Sequence, residues 1–303
     1  MVNDESVRIS MVTVNYNAGT LLDRCLESAL SQVDEVIVVD NASTDGSIEF
    51  CENKYIDTDD VLIIKNNKNL GFAAACNIGY TGASGEIVLF LNPDGRLLEG
   101  AVRHMSESLY SSANVGMVGG LLLNLDGSEQ GGARRAIPTP WRSFVRAFGL
   151  QRFQDRWPKL FYDFHLHKQP LPVHAIEVEA VSGACMMVKR EAVFEIGLWD
   201  EGYFLHCEDL DWCMRFRQKG WKILFEPDAK IEHFGGACSA ARPLFVEWHK
   251  HKGMMRFYRK FFHHQYPGVL MWLVTVGVWF RFGLVSIVHV GKRLLKGVGF
   301  LRD

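Results

Sequence analysis

The amino-acid sequence predicts an α/β fold in which a mainly parallel central sheet is flanked by helices. Short apolar segments rich in β-branched residues alternate with segments whose apolar residues recur at helical spacing. The run of five apolar residues at 87–91 is followed by Asn92 and Pro93, which suits a strand buried on both faces, because a helix would not be expected to continue through the proline. Strands and helices in this alternation call for parallel pairing with right-handed crossovers.

The first half of the chain contains the clearest elements. A helix is predicted after the first strand, from Leu21 to Leu30, because apolar residues repeat there at helical spacing, and a second one after the third strand, in the Ala-rich stretch up to Tyr80. The predicted strands are 9–15, 36–40, 61–65 and 87–91.

Beyond residue 123 the pattern is less regular. The segment 124–175 is rich in Gly, Pro, Trp and Arg and predicts a long, partly ordered insertion over the active face. Its Arg134 and Arg135 could meet phosphate, but a solvated charged loop is the favoured interpretation. The elements expected after the insertion are a strand pair within 177–189, an amphipathic helix near 208–215, and short strands at 222–225 and 230–232.

Cysteine usage and charge bear on the compartment and the partners. Seven cysteines, an odd number without Cys-x-x-Cys, indicate reduced thiols in the cytosol, and the polar N-terminus predicts no signal peptide. Residues 242–303 contain 11 basic and 2 acidic residues, which gives a net charge of 11 − 2 = +9. The rest of the chain contains 22 basic and 33 acidic residues, a net charge of 22 − 33 = −11. A basic tail on an acidic body suggests an anionic surface as partner.

Three predicted strands end in polar side chains, at Asn15-Tyr16, Asp40 and Asp94. The carboxyl edge of an open α/β sheet is where ligands bind. An aromatic ring to stack a base, a carboxylate to accept from a base N–H and a second carboxylate for a hard divalent cation would together serve a nucleoside diphosphate. Asp94 could instead be a simple turn residue, since the sequence Asn-Pro-Asp-Gly is also typical of β-turns. The sequence of this half has neither Gly-x-Gly-x-x-Gly nor a Walker loop, which removes the main support for a dinucleotide or P-loop site.

A second polar group opens the predicted helix near 208. The helix dipole alone would favour its three carboxylates at that end. Asp211 and Arg215, four residues apart, can pair on one face, so Asp211 is the structural candidate and Glu208 or Asp209 is left to face the cleft as a base. His233, after a predicted strand, is either a metal ligand or a hydrogen-bonded structural residue.

Seven motifs along residues 9–240 carry a resemblance to a known family. They are Val-Thr-Val-Asn-Tyr-Asn at 12–17, Val-Val-Asp-Asn-Ala-Ser-Thr-Asp-Gly-Ser at 38–47, Asn-Leu-Gly-Phe-Ala-Ala-Ala-Cys-Asn-Ile-Gly at 69–79, Leu-Asn-Pro-Asp at 91–94, Trp-Asp-Glu-Gly-Tyr-Phe at 199–204, Glu-Asp-Leu-Asp at 208–211 and His-Phe-Gly-Gly at 233–236. In this order they resemble the inverting glycosyltransferases of family 2, which have the GT-A fold, and most closely the rhamnosyltransferase-like members that build bacterial cell-surface polysaccharides.

The resemblance implies roles for individual donor-site residues. Tyr16, beside Asn15, and Asp40 would contact the nucleobase of a donor such as a dTDP- or UDP-sugar. Asn69 and Asn77 would support its sugar-phosphate.

The resemblance also implies metal and catalytic residues. Asp94 resembles the last carboxylate of the family's Asp-x-Asp metal motif, and Asn92 stands where the family has the first one. His233 resembles a second ligand to Mg²⁺ or Mn²⁺, and Asp209 the catalytic base. The Gln-x-x-Arg-Trp element of processive relatives is replaced by Arg-Gln-Lys-Gly-Trp at 217–221, which implies transfer of one sugar at a time.

The function so implied is metal-dependent, inverting transfer from a nucleoside-diphosphate sugar to a hydroxyl of a glycan or polyprenyl-linked acceptor. Residues 1–240 would form the GT-A domain, with 1–123 binding the nucleotide and 124–240 binding the acceptor and carrying the base; 241–303 would be a C-terminal helical extension. Two alternatives are a sugar nucleotidyltransferase, which would need a Gly-rich, Arg-containing loop after the first strand, and a non-catalytic nucleotide-sugar or carbohydrate-binding protein, which would need no base. No nucleic-acid partner is expected.

The tail has three interpretations. A basic, aromatic helix starts at Arg242, and the apolar run at 268–280 is interrupted by Arg281 before it resumes at 282–290, so that each half is shorter than the ~20 residues that span a bilayer. The favoured interpretation is an interfacial segment on the inner face of the cell membrane; the others are a helix packed in a core or between copies of a homo-oligomer, and insertion. The residues that favour the membrane surface are Trp272, Trp279, Lys292, Arg293 and Lys296.

Overall fold

The computed structural model of the protein describes residues 7–235 and 242–297. The first half forms the alternating elements that the sequence predicts, and one helix more, α2. They are β1 (Ile9–Asn15), α1 (Thr20–Leu30), β2 (Glu35–Asp40), α2 (Ser47–Lys54), β3 (Val61–Lys65), α3 (Phe72–Gly82) and β4 (Ile87–Leu91). All five residues of β4 are buried, as expected for a strand covered on both faces.

The second half departs more from the prediction. Its elements are β5 (Gly95–Leu97), α4 (Ala101–Tyr110), β6 (Val115–Leu123), β7 (Arg134–Arg135), α5 (Pro140–Ala147), β8 (Ile176–Glu177), β9 (Ala180–Val181), β10 (Cys185–Lys189), α6 (Arg190–Ile196), α7 (Glu208–Gln218) and β11 (Lys222–His233). The expected strand pair within 177–189 is wrong, because β8 pairs with β11, β9 with β7, and β10 with β4 and β6. The two short strands expected at 222–232 are one strand, β11, with an irregularity in its pairing to β6 between Glu226 and Lys230.

The central sheet is mixed. Its strand order is β3-β2-β1-β4-β10-β6-β11-β5, with β8 attached to β11. The pairs β1–β2, β2–β3, β1–β4 and β6–β11 are parallel, whereas β10 runs antiparallel to both of its neighbours and β5 antiparallel to β11. The carboxyl ends of β1, β2 and β4 therefore meet at one edge, which is the arrangement that the strand-end residues require.

Arginine pairs hold the insertion at 124–175 together and tie it to the rest of the chain. Arg142 Nη1 lies 2.7 Å from Glu179 Oε2, outside the insertion, and Arg146 Nη1 lies 3.0 Å from Asp163 Oδ1 within it. The short strand β7 joins the insertion to β9 in a separate two-stranded sheet. These contacts fix the segment against the second half of the domain.

The C-terminal helices differ from each other in packing. In α8 (Pro243–Phe262), the side chains of Phe257, Tyr258 and Phe262 are buried in the main hydrophobic core. Arg281 interrupts the apolar run but not the helix: α9 (Val269–Gly297) runs through it, because Arg is a good helix former, and Arg281 Nη1 lies 2.9 Å from His251 Nε2 of α8.

The helix α9 is long and apolar enough between Val269 and Gly291 to cross a membrane by length and composition, and its most apolar window is not buried in the protein. The large apolar side chains that it exposes include Val269, Trp272, Phe280 and Ile287. The side chains of the predicted flanking residues Lys292, Arg293 and Lys296 lie outside the described part, as do residues 236–241, which contain the predicted domain boundary.

A buried carboxylate ties α7 to α8. Asp211 is 0% exposed and accepts from Arg215 Nε at 2.7 Å, as its i, i+4 spacing predicts, and from Tyr203 Oη at 3.1 Å. Lys260 Nζ of α8 lies 2.6 Å from Asp211 Oδ2, the oxygen that also accepts from Tyr203. Burial of a charge is tolerated here because cations and a hydroxyl surround it.

We expect Asp211→Asn to lower the free energy of unfolding by about 3–5 kcal/mol, since it leaves two cations without their shared counter-charge. The matched control is Glu107→Gln, which removes an exposed i, i+4 pair with Arg103 and should cost less than about 0.5 kcal/mol. Urea unfolding of both variants measures the difference. Equal, small losses would contradict the structural role of Asp211.

Candidate active site

The ends of β1 and β2 are joined by a buried polar network. Asn15 Nδ2 donates to Asp40 Oδ1 at 2.8 Å and to Ser47 Oγ at 2.9 Å, and Ser43 N donates to Asp40 Oδ2 at 3.0 Å. Asp40 is 3% exposed, so its carboxylate is held rigidly and little of it faces solvent. Tyr16, the next residue after β1, is half-buried at the same edge. The structure thus brings Asn15, Tyr16 and Asp40 together, and their contact with a nucleobase stays a prediction.

Asn69 and Asn77 act within the chain. Asn69 Oδ1 accepts from Gly71 N at 2.9 Å and shapes the loop before α3. The Asn77 side chain accepts from Trp199 N at 3.0 Å and donates to Trp199 O at 3.0 Å and Glu201 Oε1 at 2.8 Å. Asn77 therefore fastens the segment 199–204 to α3, and a contact of either asparagine with a donor stays a prediction.

Asp94 and His233 lie side by side at the end of β4. The pairing of β11 with β5 places His233 opposite Gly95, directly after Asp94. His233 Nε2 lies 3.2 Å from Asp94 Oδ1 and 3.4 Å from Asn92 Nδ2. The chain also turns here, with Gly95 N donating to Asn92 O at 2.9 Å, so the turn aims the carboxylate toward the histidine.

The tautomer of His233 suits a metal ligand. Its Nδ1 lies 2.6 Å from Gln130 Oε1, an oxygen that can only accept, so Nδ1 carries the proton. His233 Nε2 faces the Asp94 carboxylate, and the lone pair that this atom carries in a neutral imidazole could, together with the carboxylate, hold a cation between them. No group of three His, Cys, Asp or Glu side chains that could hold a metal occurs within residues 7–235 and 242–297, so substrate oxygens and water would complete the coordination.

The two adjacent acids of α7 differ in environment. Glu208 is 6% exposed, and its Oε2 is buried without a hydrogen-bond partner. Burial, together with the nearby Asp209, raises the pKa of Glu208 well above that of an ordinary glutamate. Just before it, His206 and Cys207 adopt left-handed backbone conformations with φ of 67° and 72°, which is unusual for residues with side chains.

The side chain of Asp209 is 14% exposed and forms a hydrogen-bonded ion pair with Arg135. Gly183 N also donates to Asp209 Oδ2, at 3.2 Å. The interpretation of Arg134 and Arg135 as a solvated charged loop is therefore wrong. Arg134 is 2% exposed and its Nε lies 2.8 Å from Glu129 Oε1. Sequence alone gave no signal for the Arg135–Asp209 pair, because 74 residues separate the partners.

One short segment connects the acid of α7 with the end of β4. Gly183 donates to Asp209, and its neighbour Ala184 accepts from Asn92 N at 2.9 Å through its carbonyl oxygen. The candidate metal ligands and the candidate base consequently border the same site. A strand end that can hold a cation, beside an accessible carboxylate, is suited to displacement of a charged leaving group by a hydroxyl.

The sequence profile of the family described as Glycosyl transferase family 2 matches residues 10–196, more than half of the chain. The protein belongs to this family. It is a glycosyltransferase, and the alternatives of a sugar nucleotidyltransferase and of a non-catalytic binding protein fall away.

Individual relatives of this family-2 glycosyltransferase support the same conclusion. An N-acetylglucosaminyl-diphospho-decaprenol L-rhamnosyltransferase of Mycobacterium tuberculosis is 29% identical over 74% of this chain and 75% of its own. A low-salt glycan biosynthesis hexosyltransferase, Agl10, of Haloferax volcanii is 26% identical over 71% of this chain and 63% of its own. The mannosyltransferase PcManGT from Pyrobaculum calidifontis, in complex with GDP-Man and Mn²⁺, superposes with a TM-score of 0.57 at 15% identity over 95% of this chain and 80% of that one. The predicted GT-A fold is confirmed.

We expect Glu208→Gln to stabilise the protein increasingly as pH rises. Because the pKa of Glu208 is raised in the folded state, the unfolded chain releases this proton first, and stability falls as pH climbs from the unfolded pKa of about 4.3 through the raised folded pKa. Glutamine removes that loss. The difference in melting temperature between Glu208→Gln and wild type, measured from pH 5 to 8.5, should grow with pH, and a constant difference would show that Glu208 is ionised in its site.

Proposed function

We propose that this glycosyltransferase transfers a single sugar, rhamnose, from a nucleoside-diphosphate donor to a hydroxyl of a diphospholipid-linked glycan, with inversion at the anomeric carbon. The observation that carries the proposal is the junction at Gly183–Ala184, which contacts Asp209 on one side and Asn92 on the other. The activity for which the mycobacterial relative is named supports the choice of sugar and acceptor.

In this proposal the edge of the sheet binds the donor. The ring of Tyr16 would stack on the base, and the rigid Asp40 and its neighbours would accept from a base N–H. Asn69 and Asn77 would shape the walls around the sugar-phosphate. Asn92 would lie beside the diphosphate, since its side chain adjoins His233.

Asp94 and His233 would hold a divalent cation, Mg²⁺ or Mn²⁺. When bound, the cation would neutralise the charge that develops on the departing nucleoside diphosphate. The position of His233 Nε2 beside the Asp94 carboxylate, with the ring oriented by Gln130 at Nδ1, supports this assignment. The Mn²⁺ in the archaeal mannosyltransferase complex agrees with it.

Asp209 would act as the general base. Its carboxylate takes the proton of the acceptor hydroxyl while that oxygen forms a bond to the anomeric carbon and the bond to the nucleoside diphosphate breaks. Glu208 is buried and does not offer a second nucleophilic carboxylate, which supports inversion over retention. Arg135 would hold the Asp209 carboxylate in its orientation.

The membrane would be reached through α9. Its exposed apolar side chains and the basic residues of α8 support contact with the inner face of the cell membrane, where a lipid-linked acceptor is available. The continuous helix makes insertion compatible with its length, so the helix serves as an anchor in this proposal.

We expect Asp209→Asn to lower kcat by on the order of 10²-fold or more with little change in donor affinity, because the amide keeps the shape of the side chain but cannot accept the proton. Turnover and donor binding should be measured together with melting temperature. The exposed Asp228→Asn serves as control and should behave as wild type. A folded Asp209→Asn enzyme with near-normal turnover would remove Asp209 as the base.

We expect Asp94→Asn to weaken Mn²⁺ binding by more than the about 10- to 100-fold that loss of an outer-shell partner typically costs. Asn92→Asp should act in the opposite direction, since it adds the first carboxylate of the Asp-x-Asp motif. The Mn²⁺ affinities of both variants can be measured without turnover, from the rise in melting temperature that Mn²⁺ causes in the presence of a nucleoside diphosphate. Unchanged Mn²⁺ affinity in Asp94→Asn would contradict the metal assignment.

A further inference from the structure

A cavity of about 540 Å³ opens between α8, α9 and the segment 199–204. We call it the basic cavity, and its lining includes Gly202, Lys252, Arg256, Arg259, Lys260 and Trp279. The four cationic residues follow one another at helical spacing, so they form a stripe along a single face of α8. Trp279 contributes the α9 wall.

The cations of the basic cavity are only partly neutralised. Arg256 Nη2 lies 2.8 Å and Lys260 Nζ 2.7 Å from the carboxylate oxygens of Asp200. Burial alone would raise the pKa of Asp200, but hydrogen bonds from Lys260, Gly202 and Arg256 outweigh it and lower the pKa to about 2. Lys252 and Arg259 are exposed and form no ion pair within the described residues, so they leave an unmatched positive charge facing the cavity.

We propose that the basic cavity binds the diphosphate of the lipid-linked acceptor, an inference that rests on the proposed function. A diphosphate carries enough charge to engage Lys252 and Arg259 together, and charge-assisted hydrogen bonds to phosphate oxygens are among the stronger polar contacts. The lipid chain would leave the cavity past Trp279 along the exposed apolar surface of α9. The combination of unmatched cations and an adjoining apolar helix is what a diphosphate attached to a hydrocarbon chain needs.

The position of the basic cavity relative to Asp209 supports this occupant. Asp200 and Gly202 face α8, whereas Trp199 and Glu201 bond to Asn77 on the donor side. Phe204 O accepts from Phe72 N at 2.8 Å, and α7, with Asp209 in its first turn, begins four residues later. The segment 199–204 thus lies between the proposed donor site and the basic cavity, and the chain continues from it into α7, which carries Asp209.

An anionic phospholipid headgroup offers the same phosphate chemistry, so the experiment must separate the two sources. Farnesyl diphosphate is a suitable probe, because it has the diphosphate and a short prenyl chain but no sugar. The test variant is Lys252→Gln combined with Arg259→Gln. The control is Lys219→Gln combined with Lys230→Gln, which removes two exposed charges elsewhere.

The first measurement is calorimetric binding of farnesyl diphosphate to the full chain in detergent, with farnesyl monophosphate for comparison. We expect wild type and control to prefer the diphosphate and the test variant to bind it at least about 10-fold more weakly, as loss of one or two charge-assisted contacts implies. Equal affinity in wild type and test variant would overturn the proposal. Weaker binding of the test variant to phosphatidylglycerol vesicles, with farnesyl diphosphate binding unchanged, would assign the cavity to lipid headgroups and overturn it too.

The second measurement compares two acceptors, farnesyl-diphospho-N-acetylglucosamine and an uncharged octyl glycoside of the same sugar. The KM of the test variant should rise at least about 10-fold more for the first acceptor than for the second. A parallel rise with both would contradict a diphosphate site. If farnesyl diphosphate binds as expected but neither acceptor is glycosylated with any donor, the cavity proposal stands and the proposed function fails.

Discussion

The arrangement of the active site depends on the burial of Asp211. This carboxylate has no exposed surface and is surrounded by Arg215, Lys260 and Tyr203. A charge removed from water is stable only while such partners stay in place. The first turn of α7 is therefore held in place against both the 199–204 segment and α8. The same contacts fix the positions of Glu208 and Asp209, which lie in that turn.

Two neighbouring acids consequently acquire different properties. Glu208 points into the protein, where burial favours its protonated form, whereas Asp209 pairs with Arg135 and accepts a hydrogen bond from Gly183 N. The left-handed residues His206 and Cys207 make this possible, since they turn the chain sharply into the helix. A carboxyl group whose pKa is raised by burial, as in Glu208, is found more often at functional sites than elsewhere.

The sequence could predict what depends on short-range pattern. The buried strands were predictable from runs of apolar residues, and the Asp211–Arg215 pair from its spacing on one helix. The antiparallel pairing of β10 with β4 and β6 was not predictable, because a strand that is a continuous apolar run can pair in either direction. The partners Arg135 and Lys260 were also out of reach: they lie 74 residues from Asp209 and 49 from Asp211, where only the tertiary fold brings them together.

The C-terminal helices connect the surface of the protein with α7, the helix that carries the candidate base. Lys260 reaches Asp211 in the interior, while residues of the same helix hold Asp200 at the edge of the basic cavity and His251 contacts Arg281 of α9. A force on α9 in a bilayer would thus be transmitted through α8 to both the 199–204 segment and α7. Because a buried carboxylate is costly to leave without its partner, the Lys260–Asp211 pair holds α8 firmly against α7.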